Sequence, residues 1–291
     1  MDDFRLTVAK LPPIESITKR TVVSDIAKTY DVLGWFSPTV IKAKILLQRL
    51  WELKVDWDEP VPLTIRNVWL QWRSELKFLS QKHIPRCYFA KGAHVTSMEL
   101  HGFCDASEYA YAGVVYLRMI NSDGTVHITL VTAKTKVAPI KRLTIPRLEL
   151  CGAHLLAQLL HHVKVFNLPL NCVYAWTDST IVLNWLIGSP RRFKTYVGNR
   201  VSCIMELIAP HRWSHMNGVE NPADYASRSL LPSELLHHEL RWNGPNWLKL
   251  PSTDWPRQLM LTLTKPTSEE RCRSVQCPPL NLSPRTLFTS E

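Results

Sequence analysis

The sequence has no long hydrophobic run. None of its apolar stretches approaches the roughly 20 residues that a helix needs to span a bilayer. The first residues, MDDFRLTVAK, also lack the apolar core of a signal peptide. These absences argue against a membrane protein or a secreted one, and they predict a soluble intracellular protein, cytoplasmic or nuclear.

The cysteines give no sign of a disulfide framework. There are seven, an odd number, and they are scattered rather than regularly spaced. Such usage is typical of proteins in a reducing compartment, where thiols stay free. They are Cys87, Cys104, Cys151, Cys172, Cys203, Cys272 and Cys277.

Acidic residues are outnumbered by basic ones. The chain has 35 Lys and Arg against 25 Asp and Glu, so its formal net charge is +10. This balance suits a polyanionic partner, although many proteins with other functions are equally basic. The hydrophobic content of 45% is enough for a packed core, and the length of 291 residues indicates about two domains.

The first third of the chain is predicted to be helical. An irregular lead-in over 1–20 precedes a helical region over 21–90. Apolar residues recur at helical spacing from the start of this region, and Gly34 suits a C-terminal cap for its first helix. Pro38 opens a second helix, since proline is favoured in the first turn. A third helix is predicted over about 63–81.

Strand patterns begin after this helical region. Residues 95–231 favour three strands, a helix, a strand, two helices, a strand and a final helix. The turn-forming residues 121–124 separate the second strand from the third. This order predicts an α/β fold, in which one mixed five-stranded sheet has helices on both faces. The remainder divides into a linker over 232–264 and a polar tail over 265–291, which we expect to be disordered.

Four acidic residues lie in separate, recognisable settings. They are Asp105 in GFCDAS, Glu149 in PRLELCGAH, Asp178 in YAWTDSTIVLNW and Asp224 in GVENPADYASR. Carboxylates are rarely buried unless they are paired or bind metal. Asp105 and Asp178 can lie side by side if their strands are neighbours, and Glu149 starts the helix that crosses between them. Taken alone, each could equally be a strand-end, capping or solvated residue.

Together, four close carboxylates predict a cation site. They would repel one another and raise one another's pKa, and a divalent cation removes that penalty. Magnesium and manganese fit, since both are hard cations that favour oxygen ligands. Two such ions held roughly 3.5–4 Å apart can activate a water and stabilise the leaving oxygen in phosphodiester cleavage. We therefore expect a site for two Mg²⁺ or Mn²⁺ ions.

Basic residues are concentrated in two places along the sequence. One group crowds the loop before the Glu149 helix, and the other follows the Asp178 helix, where Trp185, Phe193 and Tyr196 are interleaved with it. Basic groups with aromatic rings beside a metal centre suit a nucleic-acid backbone, although they could equally be solvated faces. The predicted nucleic-acid contacts are Lys134, Lys136, Lys141, Arg142, Arg191, Arg192 and Lys194, and Arg147 lies in the first group.

Three stretches of the sequence are distinctive, namely FCDAS, AKTKVAPIKRLTIPRLELCGA and WTDSTIVLNWL. They resemble the polyproteins of BEL/Pao-type long-terminal-repeat retrotransposons. The acidic residues, in the order Asp, Glu, Asp, Asp, resemble the site of a retroelement ribonuclease H. The helical region is similar to the stretch that connects the reverse-transcriptase palm to ribonuclease H, and RWNGPNWL is similar to the segment before integrase. The resemblance covers about residues 18–250.

The resemblance implies a ribonuclease H-like fold over 95–231. It also implies a metal-dependent endonuclease that hydrolyses the RNA strand of RNA–DNA hybrids, with RNA selected through 2′-hydroxyl and minor-groove contacts. A histidine on a mobile loop would aid proton transfer or product release. The catalytic residues would be Asp105, Glu149, Asp178, Asp224 and His215, of which the four carboxylates would be the metal ligands.

Two features of such polyproteins are absent from the sequence. There is no YxDD-like polymerase motif, and Cys272 and Cys277 lack the paired histidines of an integrase zinc module. We therefore expect a polyprotein fragment, whose partners would be the palm and the integrase of the parent polyprotein, with 232–264 preceding the missing integrase. Two alternatives stay open. One is an inactive or co-opted fragment that only binds nucleic acid, and the other is an integrase-like strand transferase, a class that places its glutamate last rather than second.

Overall fold

The computed structural model describes residues 3–4, 16–88, 94–164, 168–256 and 268–270. Most of the lead-in predicted over 1–20 and most of the tail predicted over 265–291 lie outside the described residues, as do Cys272 and Cys277. Within the described ranges, no helix is both long enough and apolar enough to cross a membrane.

A helical region precedes the sheet, but its first helix has different ends from those predicted. The elements are β1 (Asp3–Phe4), α1 (Lys19–Lys28), α2 (Ser37–Glu52), α3 (Leu63–Leu79) and β2 (Ile84–Pro85), and β1 pairs with β2. Thr18 caps α1: its hydroxyl accepts a hydrogen bond from the Thr21 N–H, and the Thr21 hydroxyl accepts one from the Thr18 N–H. This capping box starts the helix at Lys19 instead of Thr21.

Gly34 lies in the turn before α2 and does not cap α1, which already ends at Lys28. Its φ of +70° is a left-handed conformation that favours glycine. A Cβ atom at this position would lie 1.8 Å from the carbonyl oxygen of Ala133 in the sheet. Next to it, the Leu33 carbonyl accepts a hydrogen bond from the Ala133 N–H at 2.8 Å. Glycine therefore allows the helical region to approach the sheet edge closely.

One mixed five-stranded sheet follows the helical region, as predicted. Its strands are β3 (Val95–Ala106), β4 (Ala110–Asn121), β5 (Val126–Val137), β6 (Cys172–Thr177) and β7 (Trp213–His215), in the order β5-β4-β3-β6-β7. The first three are antiparallel, whereas β6 runs parallel to β3 and β7 runs parallel to β6. The predicted turn joins β4 to β5, with Gly124 at a φ of +81°. Strand β3 is central, with β6 beside it.

Helices cover both faces of this sheet. On one face, Leu100 of β3 belongs to a buried apolar cluster with Leu156 of the long crossover helix. On the other face, Phe103 of β3 belongs to a cluster that includes Trp69 and Trp72 of α3. Because both faces are buried, the strands are apolar at successive positions instead of alternating. The helices described after the sheet begins are α4 (Ile145–Lys164), α5 (Thr180–Ile187), α6 (Thr195–Leu207), α7 (Asp224–Arg228), α8 (Pro232–Leu236) and α9 (Glu239–Asn243).

The segment after α7 packs against the rest of the protein, which differs from the linker expected over 232–264. Leu235 and Leu248 have no exposed surface, and they join the same cluster as α3. The guanidinium of Arg118, on β4, donates to the Leu248 carbonyl at 2.7 Å and to the Leu250 carbonyl at 3.1 Å. Residues 232–256 therefore complete the core on that face of the sheet.

Candidate active site

Two of the four predicted carboxylates lie at the ends of neighbouring strands. In the parallel pairing of β3 with β6, Cys104 lies opposite Thr177. Asp105 and Asp178 are the next residues, so both lie at the carboxyl-terminal ends of their strands. Neighbouring parallel strands are less than 5 Å apart, which places these two aspartates side by side. The spacing proposed from the sequence is therefore present in the fold.

Glu149 reaches the same strand ends from α4. Its carboxylate accepts a hydrogen bond from the Ser179 hydroxyl, with 2.6 Å between Oγ and Oε2. Ser179 follows Asp178 directly and is the N-cap of α5, where its Oγ also accepts from the Val182 N–H. The hydrogen bond between Ser179 and Glu149 thus connects the crossover helix α4 to the end of β6.

Asp224 is brought to the site by α7, on the other face of the sheet. The carboxylate of Asp105 accepts a hydrogen bond from the Ser227 hydroxyl, and the carboxylate of Asp224 pairs with Arg228. The Asn221 amide anchors this segment, because it donates to the Cys104 carbonyl at 3.0 Å. All four carboxylates therefore gather at one end of β3 and β6.

The carboxylates of this group perturb one another. Burial raises the pKa of Asp105 to about 7, and the charges of Asp178 and Asp224 contribute to that rise. Burial also raises the pKa of Glu149 and that of Asp178, with further contributions from Asp178 and Asp224 respectively. The site therefore holds several carboxylates whose ionised forms are disfavoured by low solvation and by like charge.

The chemistry of these donors suits a hard divalent cation, which would offset both penalties. Their present arrangement does not form a ready metal site, because among the described residues no group of three or more His, Cys, Asp or Glu side chains is placed to hold a metal ion. Ser179, Ser227 and Arg228 each occupy a carboxylate oxygen. A shared ion would therefore have to replace these partners at the carboxylate oxygens.

A family model described as the Pao retrotransposon-like RNaseH-like domain matches residues 18–179. This match spans more than half of the chain, from α1 through the end of β6. The chain belongs to this family. The BEL/Pao resemblance expected from the sequence is confirmed, as is the ribonuclease H-like fold, with its five-stranded sheet between helices and a helical region before it.

Several solved ribonuclease H structures are similar to this chain at low identity. They include the N-terminal RNase H domain of rv2228c from Mycobacterium tuberculosis (13% identity, TM-score 0.30), which covers 45% of this chain and 94% of that one. LC11-RNase H1, isolated from compost, has 14% identity and a TM-score of 0.28, and the match covers 45% of this chain and 91% of that one. RNase H1 from Halobacterium salinarum has 15% identity and a TM-score of 0.28, and the match covers 48% of this chain and 97% of that one. No curated protein matches the chain.

The predicted histidine of this Pao-family chain lies in the sheet and not on a mobile loop. His215 is the last residue of β7, aligned with Thr177 of β6. Its Nε2 lies 3.2 Å from the backbone carbonyl oxygen of Asp178. The turn that follows contains Gly218, where a Cβ atom would lie 2.8 Å from Asp178 Oδ2. The segment after β7 therefore borders the Asp178 carboxylate directly.

The two basic groups are placed differently from the prediction. Lys134 and Lys136 belong to β5, whereas Lys141 and Arg142 lie in the loop before α4. In the second group, Arg191 and Arg192 form a short 3-10 turn, and Lys194 directly precedes α6. These seven basic residues are exposed. The interleaved rings of Trp185 and Phe193 are buried, so they serve packing rather than base stacking.

Several residues that shape the Pao-family site were not predicted from the sequence. Ser227 and Arg228 follow Asp224 by three and four positions, which is the spacing of neighbours on one helix face. Asn221 lies on the turn before α7, where a buried amide satisfies backbone groups of the adjoining strand and turn. The helical spacing of the first two was a usable signal, whereas the partner of Asn221 depends on the tertiary fold.

Proposed function

We propose that this Pao-family protein is a divalent-metal-dependent endonuclease that hydrolyses the RNA strand of RNA–DNA hybrids. One observation carries this proposal: Asp105, Glu149, Asp178 and Asp224 gather at the ends of β3 and β6. The mutual effect of their charges on the pKa of Asp105 supports the same arrangement. The family and the fold agree with the reaction class.

In this proposal, the four carboxylates would hold two Mg²⁺ or Mn²⁺ ions. Such ions supply an activated water and stabilise the leaving oxygen of a phosphodiester. Ser179 would orient Glu149, and Ser227 would orient Asp105. Each serine hydroxyl donates to one oxygen of its carboxylate, so the second oxygen is left for another partner. His215, whose Nε2 lies 3.2 Å from the Asp178 backbone carbonyl oxygen, would aid proton transfer or product release at this site.

The exposed lysines and arginines of the two basic groups would bind the phosphates of the hybrid. Such contacts are insensitive to base sequence and weaken with salt. Discrimination of RNA from DNA would depend on the 2′-hydroxyl groups in the minor groove. The palm and the integrase of a parent polyprotein are further proposed partners.

A cleavage assay tests the proposal. The full chain is incubated with a labelled RNA–DNA hybrid and Mg²⁺, beside Asp178→Asn and a matched surface control, Asp56→Asn, whose side chain is exposed. We expect wild type and Asp56→Asn to cut the RNA strand and Asp178→Asn not to cut it. Folded wild-type protein that leaves the hybrid intact would contradict the proposal, and cleavage of duplex DNA instead would favour an integrase-like strand transferase.

A second candidate function is nucleic-acid binding without cleavage. It is favoured by the side chains that already occupy the carboxylates and by the lack, among the described residues, of a ready group of three metal ligands. Thermal unfolding with and without Mg²⁺ separates the two. An endonuclease should gain stability with Mg²⁺, and Asp178→Asn should abolish the gain, whereas a binding module should bind the hybrid without either effect.

A further inference from the structure

A short acidic segment lies across basic residues near the candidate site. The Glu269 carboxylate accepts two hydrogen bonds from the Arg147 guanidinium, at 2.8 Å from Nε and 2.9 Å from Nη2. The Glu270 carboxylate lies 3.3 Å from Nη2 of Arg192. The Glu269 carbonyl accepts from the Lys194 N–H at 2.7 Å. Two carboxylates and one carbonyl thus occupy donors from both basic groups.

The Arg147 contact has the geometry of an anion site. Its guanidinium presents two parallel N–H donors, an arrangement that suits a carboxylate and a phosphate equally well. The Glu269 side chain is only 11% exposed, so the pair is largely shielded from water. On its other side, the Arg147 guanidinium lies 4.9 Å from the centroid of the Tyr196 ring, which also contacts Arg200. The donor fork is therefore held in place by packing as well as by Glu269.

We propose that Arg147, Arg192 and the Lys194 N–H form a binding site for the phosphodiester backbone of a nucleic acid, and that Glu269 and Glu270 occupy it in the free protein. The inference rests on the proposed function and adds a named phosphate site to it. Arg147 and Glu149 both lie near the start of α4, although side chains two residues apart on a helix point in different directions. The acidic segment and the nucleic acid compete, because one guanidinium fork cannot hold both anions.

Competition of this kind lowers the apparent affinity for nucleic acid without closing the site. The apparent dissociation constant equals the intrinsic one divided by the fraction of molecules in which the acidic segment is displaced. The Arg192–Glu270 pair is partly exposed, and exposed ion pairs are weak. A polyanion with several phosphates can therefore displace the segment, while a weakly charged ligand cannot.

The test measures binding of a fluorescently labelled RNA–DNA hybrid to the full chain by anisotropy, in EDTA so that no cleavage intervenes. The double variant Glu269→Gln/Glu270→Gln is expected to bind about three- to fivefold more tightly than wild type, since it removes both the shielded pair with Arg147 and the weaker, partly exposed pair with Arg192. The matched control is Glu52→Gln/Glu206→Gln, which removes the same charge at exposed positions on α2 and α6. It should change the affinity much less.

A second pair of variants tests whether the gain acts through Arg147. Arg147→Gln alone should weaken hybrid binding, and Glu269→Gln added to it should restore little. The proposal is overturned if Glu269→Gln/Glu270→Gln binds no more tightly than the Glu52 and Glu206 control. It is also overturned if the variant only lowers the unfolding temperature, because the segment would then be a structural clasp.

The two proposals fail separately. Tighter binding by Glu269→Gln/Glu270→Gln, together with no cleavage by wild type, would leave the phosphate site standing and remove the endonuclease. Cleavage by wild type, with no effect of these variants on affinity, would remove the phosphate site alone. Absence of hybrid binding by every variant would overturn the site as well.

Discussion

The hydroxyl of Ser179 donates to the Glu149 carboxylate across 2.6 Å, and the same oxygen accepts the Val182 N–H at 3.2 Å. One side chain therefore begins α5 and orients a candidate metal ligand on α4. The helix cap needs the Ser179 oxygen as an acceptor, whereas the proposed activity would need its hydroxyl as a donor to Glu149.

Substitutions of Ser179 should separate the two roles. Ser179→Ala removes both, so we expect a loss of about 1 kcal/mol in the free energy of unfolding and slower hybrid cleavage. Ser179→Asp keeps a capping acceptor but cannot donate to Glu149, so it should lose cleavage while retaining more of the stability. Denaturant unfolding and cleavage rates, measured on both variants, check this. Full cleavage by Ser179→Ala would show that Glu149 needs no orienting donor.

Gly218 should matter for chemistry rather than for folding. A Cβ atom there would lie 2.8 Å from Asp178 Oδ2, closer than atoms normally approach, so Gly218→Ala must displace that carboxylate. We expect cleavage to fall about tenfold or more, since small displacements of a catalytic group are costly. Val219→Ala is the control, because Val219 is 81% exposed in the same turn. Equal cleavage by the two variants would argue against a catalytic role for Asp178.

The mixed five-stranded sheet and the neighbouring positions of Asp105 and Asp178 were predictable from the sequence. Apolar runs marked the strands, and a crossover from β5 through α4 to β6 can place β6 next to β3. Glu149 followed, since it lies near the start of that crossover helix. Their roles as catalytic residues remain predictions.

Other features depended on contacts that a local pattern does not encode. Gly34 suited a helix cap, but it lies in a turn packed so closely on the Ala133 carbonyl, which is distant in sequence, that no side chain fits there. A short strand was predicted around His215, whereas the resemblance implied a mobile loop, and the structure pairs His215 with Thr177 of β6. The linker predicted over 232–264 rested on a composition rich in proline and serine, yet in its described part, 232–256, Leu248 is buried in the core on one face of the sheet. Tertiary contacts, and not the local pattern, decided these features.

Arg241 joins the helical region to the sheet, and its loss should be costly. It has no exposed surface, and Nη2 donates to the Gly34 carbonyl at 2.9 Å and to Ser37 Oγ at 3.1 Å. Burial raises the pKa of Asp31, while backbone hydrogen bonds and the charge of Arg241 oppose the rise. Arg241→Met should therefore lower the free energy of unfolding by about 3 kcal/mol, because it removes these buried hydrogen bonds and the favourable charge near the half-buried Asp31 carboxylate.

The partner variant decides whether charge is the cause. Adding Asp31→Asn to Arg241→Met should recover part of the loss, since the amide needs no counter-charge. Arg20→Met, which breaks an exposed ion pair with Asp58, should have little effect on denaturant unfolding. If Asp31→Asn recovers nothing, the cost of Arg241→Met comes from lost packing and hydrogen bonds alone.

His101 is a buried histidine whose hydrogen bonds suit only the neutral ring. Its Nε2 lies 3.3 Å from Glu99 Oε2, and its Nδ1 lies 3.3 Å from Nε1 of Trp176, which can only donate. A hydrogen on Nε2 therefore satisfies both partners. Protonation would add a second hydrogen on Nδ1, facing the Trp176 N–H. Burial lowers the pKa of His101, as does the charge of Arg118, while Glu99 opposes this effect.

The contribution of neutral His101 to stability should therefore be lost on mild acidification, whereas Asp105, whose pKa is raised to about 7, contributes in the opposite direction over the same range. Because the folded-state pKa of His101 lies below its ordinary value of about 6.5, the unfolded chain takes up the proton first. The stabilisation is complete above that pH and falls below it, by up to about 1.4 kcal/mol per pH unit for one proton. Denaturant unfolding at about pH 8 and about pH 5, which bracket the titration of a histidine, should show that acidification is less destabilising for His101→Phe than for wild type. His127→Gln, at an exposed position, should behave like wild type. An unchanged slope in His101→Phe would assign the acid sensitivity to other groups, such as His154 and His238, whose pKa values burial also lowers.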